Sequence, residues 1–292
     1  MKLFYSAEYV LGKHAFDTTR KSGWIAESLQ ERPIANVEIV VPEPLDEGLL
    51  ATVHDSAYIE AVRTGVPRDL AQSQGFTWDQ GIWDMVLASN GGAKAAALDA
   101  LANGVSGSLS SGLHHAKKTR GDGYCTFNGL VLAAHAALTL GGAQRILILD
   151  LDAHCGDGTS QLIGSYKGAI RHLDISVSEY GAYQPNAPNS LDLVWSAEDY
   201  LPRLRGRLHA LKDHFDLILY NAGMDPYEGC REGGRKGITF DLLAERERVV
   251  FEWRRNRGIP LAFVLAGGYI GEHLSQEKLV DLHRLTIKNA AV

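Results

Sequence analysis

Residues 145–158 read Arg145-Ile-Leu-Ile-Leu-Asp150-Leu-Asp152-Ala-His154-Cys-Gly156-Asp157-Gly158. The stretch 145–150 is short and apolar on consecutive residues, which suits a strand covered on both faces. Beyond it Asp150, Asp152 and His154 alternate, and on extended chain alternate residues project to one face. Three ionisable groups leaving a hydrophobic core are costly unless they are paired or bound to a metal. A carboxylate and an imidazole two residues apart can reach one cation from the same side. Gly156 and Gly158 let the chain turn tightly around whatever sits there. The same spacing also fits a surface turn with helix-capping aspartates, so the stretch does not decide its chemistry alone.

Similar apolar runs recur at 37–41, 169–175, 216–221 and 260–265. Between them, 83–102, 130–140, 200–211 and 241–254 carry helical periodicity, and Thr239 suits an N-cap ahead of an acid in the first turn. Strands alternating with helices predict a single parallel β-sheet with helices on both faces, an α/β fold. Ligands of such sheets lie beyond the carboxyl ends of the strands. At 292 residues, 45% hydrophobic and 22% charged, the chain can bury one large core. The net charge of -6 argues against a nucleic-acid partner. No apolar run is long enough for a membrane span, and the opening MKLFYSAEYVLGKHAFD meets polar residues too early for a signal-peptide core. Cys125, Cys155 and Cys230 are odd in number and make no disulfide framework. A cytoplasmic protein is expected.

Other expected strand ends carry matching groups. Asn221-Ala-Gly223-Met-Asp225-Pro226 follows one strand; Asp-Pro is also ordinary turn chemistry. Ala266-Gly267-Gly268-Tyr269 follows another, and could equally be a loop with a packing tyrosine. Upstream, Ser111-Gly112-Leu113-His114-His115 precedes the glycine-rich Gly121-Asp122-Gly123-Tyr124. Together these sites make coincidence a poor explanation. Asp152, His154 and Asp225 supply the ligand count of a catalytic zinc site, whose fourth position stays open for water. His114 and His115 offer a base, Asp150 and Asp157 carboxylates to orient them, and Tyr269 a neutral hydrogen-bond donor.

The segments SGLHHAKK, GYCTFNGL, DLDAHCGDGT, NAGMD and LAGGY, in this order, resemble the histone deacetylase superfamily, which includes acetylpolyamine amidohydrolases and shares its fold with arginases. The similarity runs from Tyr5 and 14–17 to Tyr269, and its form is closer to class II/IV and bacterial deacetylases than to class I. The resemblance implies one catalytic domain over 1–292 that removes an acyl group from an N-acylated amine. The substrate expected is an acetyl-lysine side chain, with a small acetylated amine such as an acetylpolyamine as the alternative. It implies one Zn2+ per chain on Asp152, His154 and Asp225. His115 is implied as general base and acid with Asp157, His114 as the second histidine held by Asp150, and Tyr269 as donor to the oxyanion. Gly123, Tyr124 and Tyr183 would line the acyl channel. A structural K+ is implied on Asp150, Asp152, His154, Ser176 and Val177, and Arg20 matches the arginine of an internal acetate channel.

Three departures bear on the substrate. The rim aspartate of peptide-acting members falls near Gly75, which has no carboxylate. The family's Pro-Gly-rich loop is replaced by 180–186, where the channel aromatic falls on Tyr183 or Gln184. Cys230 stands where an aspartate is common. A two-metal, arginase-like site is disfavoured because Gly156 holds the place of the extra aspartate, and Pro226 and Tyr227 add no ligands. A non-catalytic binding member would show damage to the catalytic set, and none is visible. The runs 245–248 and 254–257 read as solvated helix face and helix end.

Overall fold

The computed structural model describes residues 1–13 and 17–292, Asp17 and Thr18 by backbone alone. The strands are β1 (Lys2–Phe4), β2 (Glu38–Val40), β3 (Val105–Ser108), β4 (Ile146–Asp150), β5 (Ile170–Ser176), β6 (Ser190–Leu193), β7 (Leu217–Gly223) and β8 (Leu261–Ala266). They form one sheet in the order β2-β1-β3-β8-β7-β4-β5-β6, and every pairing is parallel. The helices are α1 (Asp17–Glu31), α2 (Glu47–Val53), α3 (Ser56–Thr64), α4 (Arg68–Ala71), α5 (Gly81–Asn103), α6 (Gly129–Thr139), α7 (Asp157–Ile163), α8 (Ala197–Ala210), α9 (Phe240–Arg257) and α10 (Gln276–Ala290).

Apolar residues cover both faces of the sheet. On β4, Ile146 and Ile148 join the core under α5 and α6, while Leu147 and Leu149 join the core under α8, α9 and α10. That two-sided burial is why the strand reads as a continuous apolar run. The five expected strands are present. The other three are short or polar. Val105–Ser108 sits inside the sheet despite its serines, because Ser106 and Ser108 donate their hydroxyls to the Lys2 and Phe4 carbonyls at 3.1 and 3.3 Å. Thr239 caps α9 as expected, accepting from Leu242 N at 3.2 Å.

One expectation about surface charge is corrected. Within 245–248 only Glu245 and Arg248 lie on the solvated face, where they pair at 2.6 Å. Arg246 and Glu247 point inward, both fully buried, as an ion pair of 2.7 Å. Helical periodicity turns these two under the sheet, where Tyr220 donates its hydroxyl to Glu247 at 2.7 Å. Among the described residues no helix is long and apolar enough to cross a membrane.

Candidate active site

Strand ends converge on one place. β4 ends in the fully buried Asp150 and continues through Asp152 and His154 into α7. β7 ends two residues before Asp225, and β8 ends three residues before Tyr269. The segment after β3 brings in His114 and His115. Arg246 ties two of these ends together from below, donating to the Gly223 carbonyl at 2.7 Å and the Leu151 carbonyl at 3.3 Å.

Asp152, His154 and Asp225 each offer a ligand atom, and these atoms lie within 4.8 Å of one another. His154 Nδ1 is 3.1 Å from Asp152 Oδ1 and 3.1 Å from Asp225 Oδ2. Asp225 Oδ1 accepts Ala153 N at 3.0 Å, whereas its Oδ2 is buried and accepts no hydrogen bond of its own. Burial opposes charge on His154, but Asp152 and Asp225 outweigh it and raise the imidazole to about 10. Burial and the Asp152 charge push Asp225 up to about 6. The trio is built to hold positive charge, and two oxygens and one nitrogen suit zinc. Gly267, at φ +57, lets the β8 loop pass against the Asp225 carboxylate, where any side chain would collide.

The two histidines have separate carboxylates. His114 Nδ1 is 2.8 Å from Asp150 Oδ2, and Asp150 Oδ1 accepts Asn221 Nδ2 at 2.8 Å. His115 Nδ1 donates to Asp157 Oδ1 at 2.9 Å. For His114, burial opposes charge, but Asp150 and Asp152 prevail and raise it to about 10. For His115, burial and the neighbouring His114 win, and the imidazole is lowered. Gly123, at φ +49, packs its backbone against the His115 ring, where a Cβ would come within 2.5 Å of Cδ2.

His115, His154 and Tyr269 open on one cavity of about 330 Å³, walled by Gly123, Tyr124 and Tyr180 and rimmed by Ser73, Gln74, Gly75, Asp122 and Glu232. Tyr124 stacks on Phe76 at 5.4 Å between centroids. Tyr269 is buried, its hydroxyl held well above the ordinary tyrosine range first by burial and then by the charges of Asp225 and Asp152, so it stays protonated. Cys230 accepts Tyr269 N at 3.1 Å, so the cysteine that replaces an expected aspartate anchors the tyrosine's loop.

Several sequence-predicted residues sit elsewhere than expected. Tyr183 does not line the cavity: its hydroxyl bonds His172 Nδ1 at 3.1 Å and Asp174 Oδ2 at 3.2 Å, and its ring stacks on His172. Tyr180 takes the wall position instead. Of the residues expected around a structural K+, Ser176 Oγ reaches the His154 carbonyl at 3.2 Å, but it also bonds Asp174 Oδ1 at 2.6 Å, and the Val177 carbonyl accepts from Arg235. Asp150, His172 and Asp174 form a second cluster, fully buried, beside the first. Sequence reading missed His172 and Asp174, although His172-x-Asp174-x-Ser176 shows the same alternation as Asp150-x-Asp152-x-His154. Arg20 is exposed on α1, and the buried cation of that helix is its neighbour Lys21, whose Nζ donates to Ser111 Oγ at 3.0 Å. Residues 14–16, part of the resemblance at the amino end, lie outside the described residues.

The family model described as "Histone deacetylase domain" matches residues 14–282. The chain belongs to the histone deacetylase family. Among deacetylase relatives, histone deacetylase 2 of Arabidopsis thaliana is 27% identical over 293 residues, covering 92% of this chain and 75% of that protein. An uncharacterized protein of Picosynechococcus sp. is 31% identical over 246 residues, covering 82% of both. Human histone deacetylase 1 is 28% identical over 263 residues, and the match covers 80% of this chain but only 52% of that longer protein. Two solved structures share the fold: acetylpolyamine aminohydrolase from Burkholderia pseudomallei, with TM-score 0.78, 17% identity and coverage of 99% and 98%, and the HDA15 HD domain, with TM-score 0.76, 18% identity and coverage of 99% and 90%.

Proposed function

We propose that this deacetylase-family chain, acting as one catalytic domain over 1–292, hydrolyses the amide of an N-acylated amine with a single zinc on Asp152, His154 and Asp225. The observation that carries the reading is that the carboxylate–imidazole trio, the His115–Asp157 pair and the Tyr269 phenol all face one cavity. Zinc bound there supplies polarisation of the amide carbonyl and acidification of a coordinated water. His115, neutral because burial and His114 disfavour its charge, takes a proton at Nε2, since Nδ1 is committed to Asp157. Asp157 fixes that tautomer and supports the imidazolium once formed. His115 then returns the proton to the departing amine. Tyr269 donates its hydroxyl to the carbonyl oxygen as negative charge develops there. His114, raised by its pair with Asp150, disfavours charge on the neighbouring His115. Gly123, Tyr124 and Tyr180 form the channel walls. A structural cation near Ser176 and the His154 carbonyl belongs to the same proposal.

Acetyl-lysine side chains are the first substrate class for this site. Small acetylated amines are the second, favoured by two observations at the rim. Gly75 lies there and offers no carboxylate to a peptide backbone, while Glu232 adds an acid to the rim that could meet a distant ammonium group. A turnover panel of acetyl-lysine peptides, acetylpolyamines and longer acyl-lysines, with zinc quantified alongside, tests both. Hydrolysis of one class is expected; no hydrolysis of any acylated amine by the zinc-loaded protein would refute the reaction.

A further inference from the structure

Lys117 stands two residues past the base histidine and has no role in the chemistry above. Its Nζ lies 2.8 Å from Asp122 Oδ2 and 2.9 Å from Asp157 Oδ2. Each carboxylate uses its other oxygen toward the cavity. Asp157 Oδ1 accepts from His115 Nδ1 at 2.9 Å, and Asp122 Oδ1 accepts the Tyr180 hydroxyl at 2.9 Å. Tyr180 closes the circuit: its ring meets the His115 ring edge-on, with centroids 5.0 Å apart. A wall residue, an acid, an ammonium, a second acid and the base therefore form one ring of contacts.

The members are not equally secure. Tyr180 is 49% exposed, and its ring is held over the channel only by edge contacts to His115 and His154 and by its hydroxyl on Asp122. A single exposed ion pair would hold it weakly. Here one ammonium is shared by two carboxylates that would otherwise repel each other, so its removal disturbs both. Burial pushes the Asp157 carboxyl up, yet the bonds from His115 and Lys117 outweigh it and keep Asp157 below the ordinary carboxylate range. The backbone of Lys117 is fixed independently of its side chain, since its carbonyl meets His54 Nδ1 at 3.0 Å and its amide donates to the Arg120 carbonyl at 2.9 Å. Changing the side chain therefore leaves the local fold in place.

We propose that Lys117 is a positioning residue that couples the channel wall to the base: it fastens Tyr180, through Asp122, to the carboxylate that orients His115. The inference rests on the proposed reaction for its kinetic reading, and the test separates the two. Lys117→Met is expected to lower kcat by roughly 10–100-fold, as a misplaced base does, with zinc content and melting temperature unchanged. Lys117→Arg should restore most of that loss. Tyr180→Phe, which cuts only the wall end of the circuit, should raise KM several-fold with a smaller effect on kcat. The Lys117→Met/Tyr180→Phe double variant should fall short of the product of the single effects, because either change opens the same ring. A kcat for Lys117→Met within twofold of wild type, or strictly multiplicative effects, would overturn the coupling. If wild type hydrolyses no acylated amine, the reaction fails instead, and ring-nitrogen NMR of His115 still decides this point. One tautomer is expected in wild type and a mixture in Lys117→Met; identical spectra would overturn the proposal.

Discussion

His114 and His115 are adjacent in sequence, about equally buried, and each bonded through Nδ1 to a carboxylate, yet their environments drive them in opposite directions. His114 meets Asp150 and lies 3.6 Å from Asp152, both deep in the protein, and it is raised to about 10. His115 is bonded to Asp157, whose charge Lys117 already shares, and burial and the neighbouring His114 lower it. Two titratable groups pushed apart in this way divide the labour between a fixed charge and a mobile proton. The difference comes from neighbours supplied by distant segments, since the two histidines themselves are identical.

The sharpest way to break the comparison is His115→Ala. On this account it costs roughly 100–10,000-fold in kcat with zinc near one per chain, and near-native turnover on acetyl-lysine would remove His115 from its role. Tyr269→Phe deletes one preorganised donor and is expected to cost about 100–1,000-fold in kcat, again with zinc retained; a loss below about fivefold would show that the phenol does not meet the developing charge. Asp150→Asn addresses the other histidine. It should cost about 10–100-fold by loosening His114, the usual scale for an outer partner, and should at the same time make His115 easier to protonate because the neighbouring cation weakens. The smallest effect is in pH. His115 acts as a base only when neutral, and its lowered pKa keeps it neutral further into acid. The acid limb of kcat/KM should therefore lie below about pH 6.5 in wild type, where an unperturbed histidine titrates, and move upward in Asp150→Asn. A wild-type limb above pH 7 would contradict the ordering of the two histidines.

Much of this was legible in the sequence, for physical reasons that also explain the gaps. The central strands announce themselves because both of their faces are covered, so β4, β5, β7 and β8 read as unbroken apolar runs. β1 opens the chain with few apolar residues in a row, β6 alternates leucines with Ser190 and Asp192, and β3 hides behind serines whose hydroxyls find carbonyls on the neighbouring strand. Asp152, His154 and Asp225 were visible because ionisable groups at the end of an apolar strand demand an explanation. His172 and Asp174 pose the same question from inside β5, where the surrounding Leu173 and Ile175 mask it. Arg246 and Glu247 looked like a solvated charge run, and only the packing of α9 shows them turned under the site. Lys117, Asp122 and Tyr180 meet across loops, and no local spacing predicts that meeting. Tyr183 shows the converse: its place in the sequence suggested the channel, but His172 and Asp174 gave its hydroxyl buried partners further inside.

Metal stoichiometry in the purified protein, wild type beside Asp225→Ala, reaches the central assumption most directly. One zinc per wild-type chain and near none in the variant is the predicted result. A wild-type protein that takes up no zinc when it is supplied, two transition-metal ions per chain, or undiminished zinc in Asp225→Ala would contradict the account.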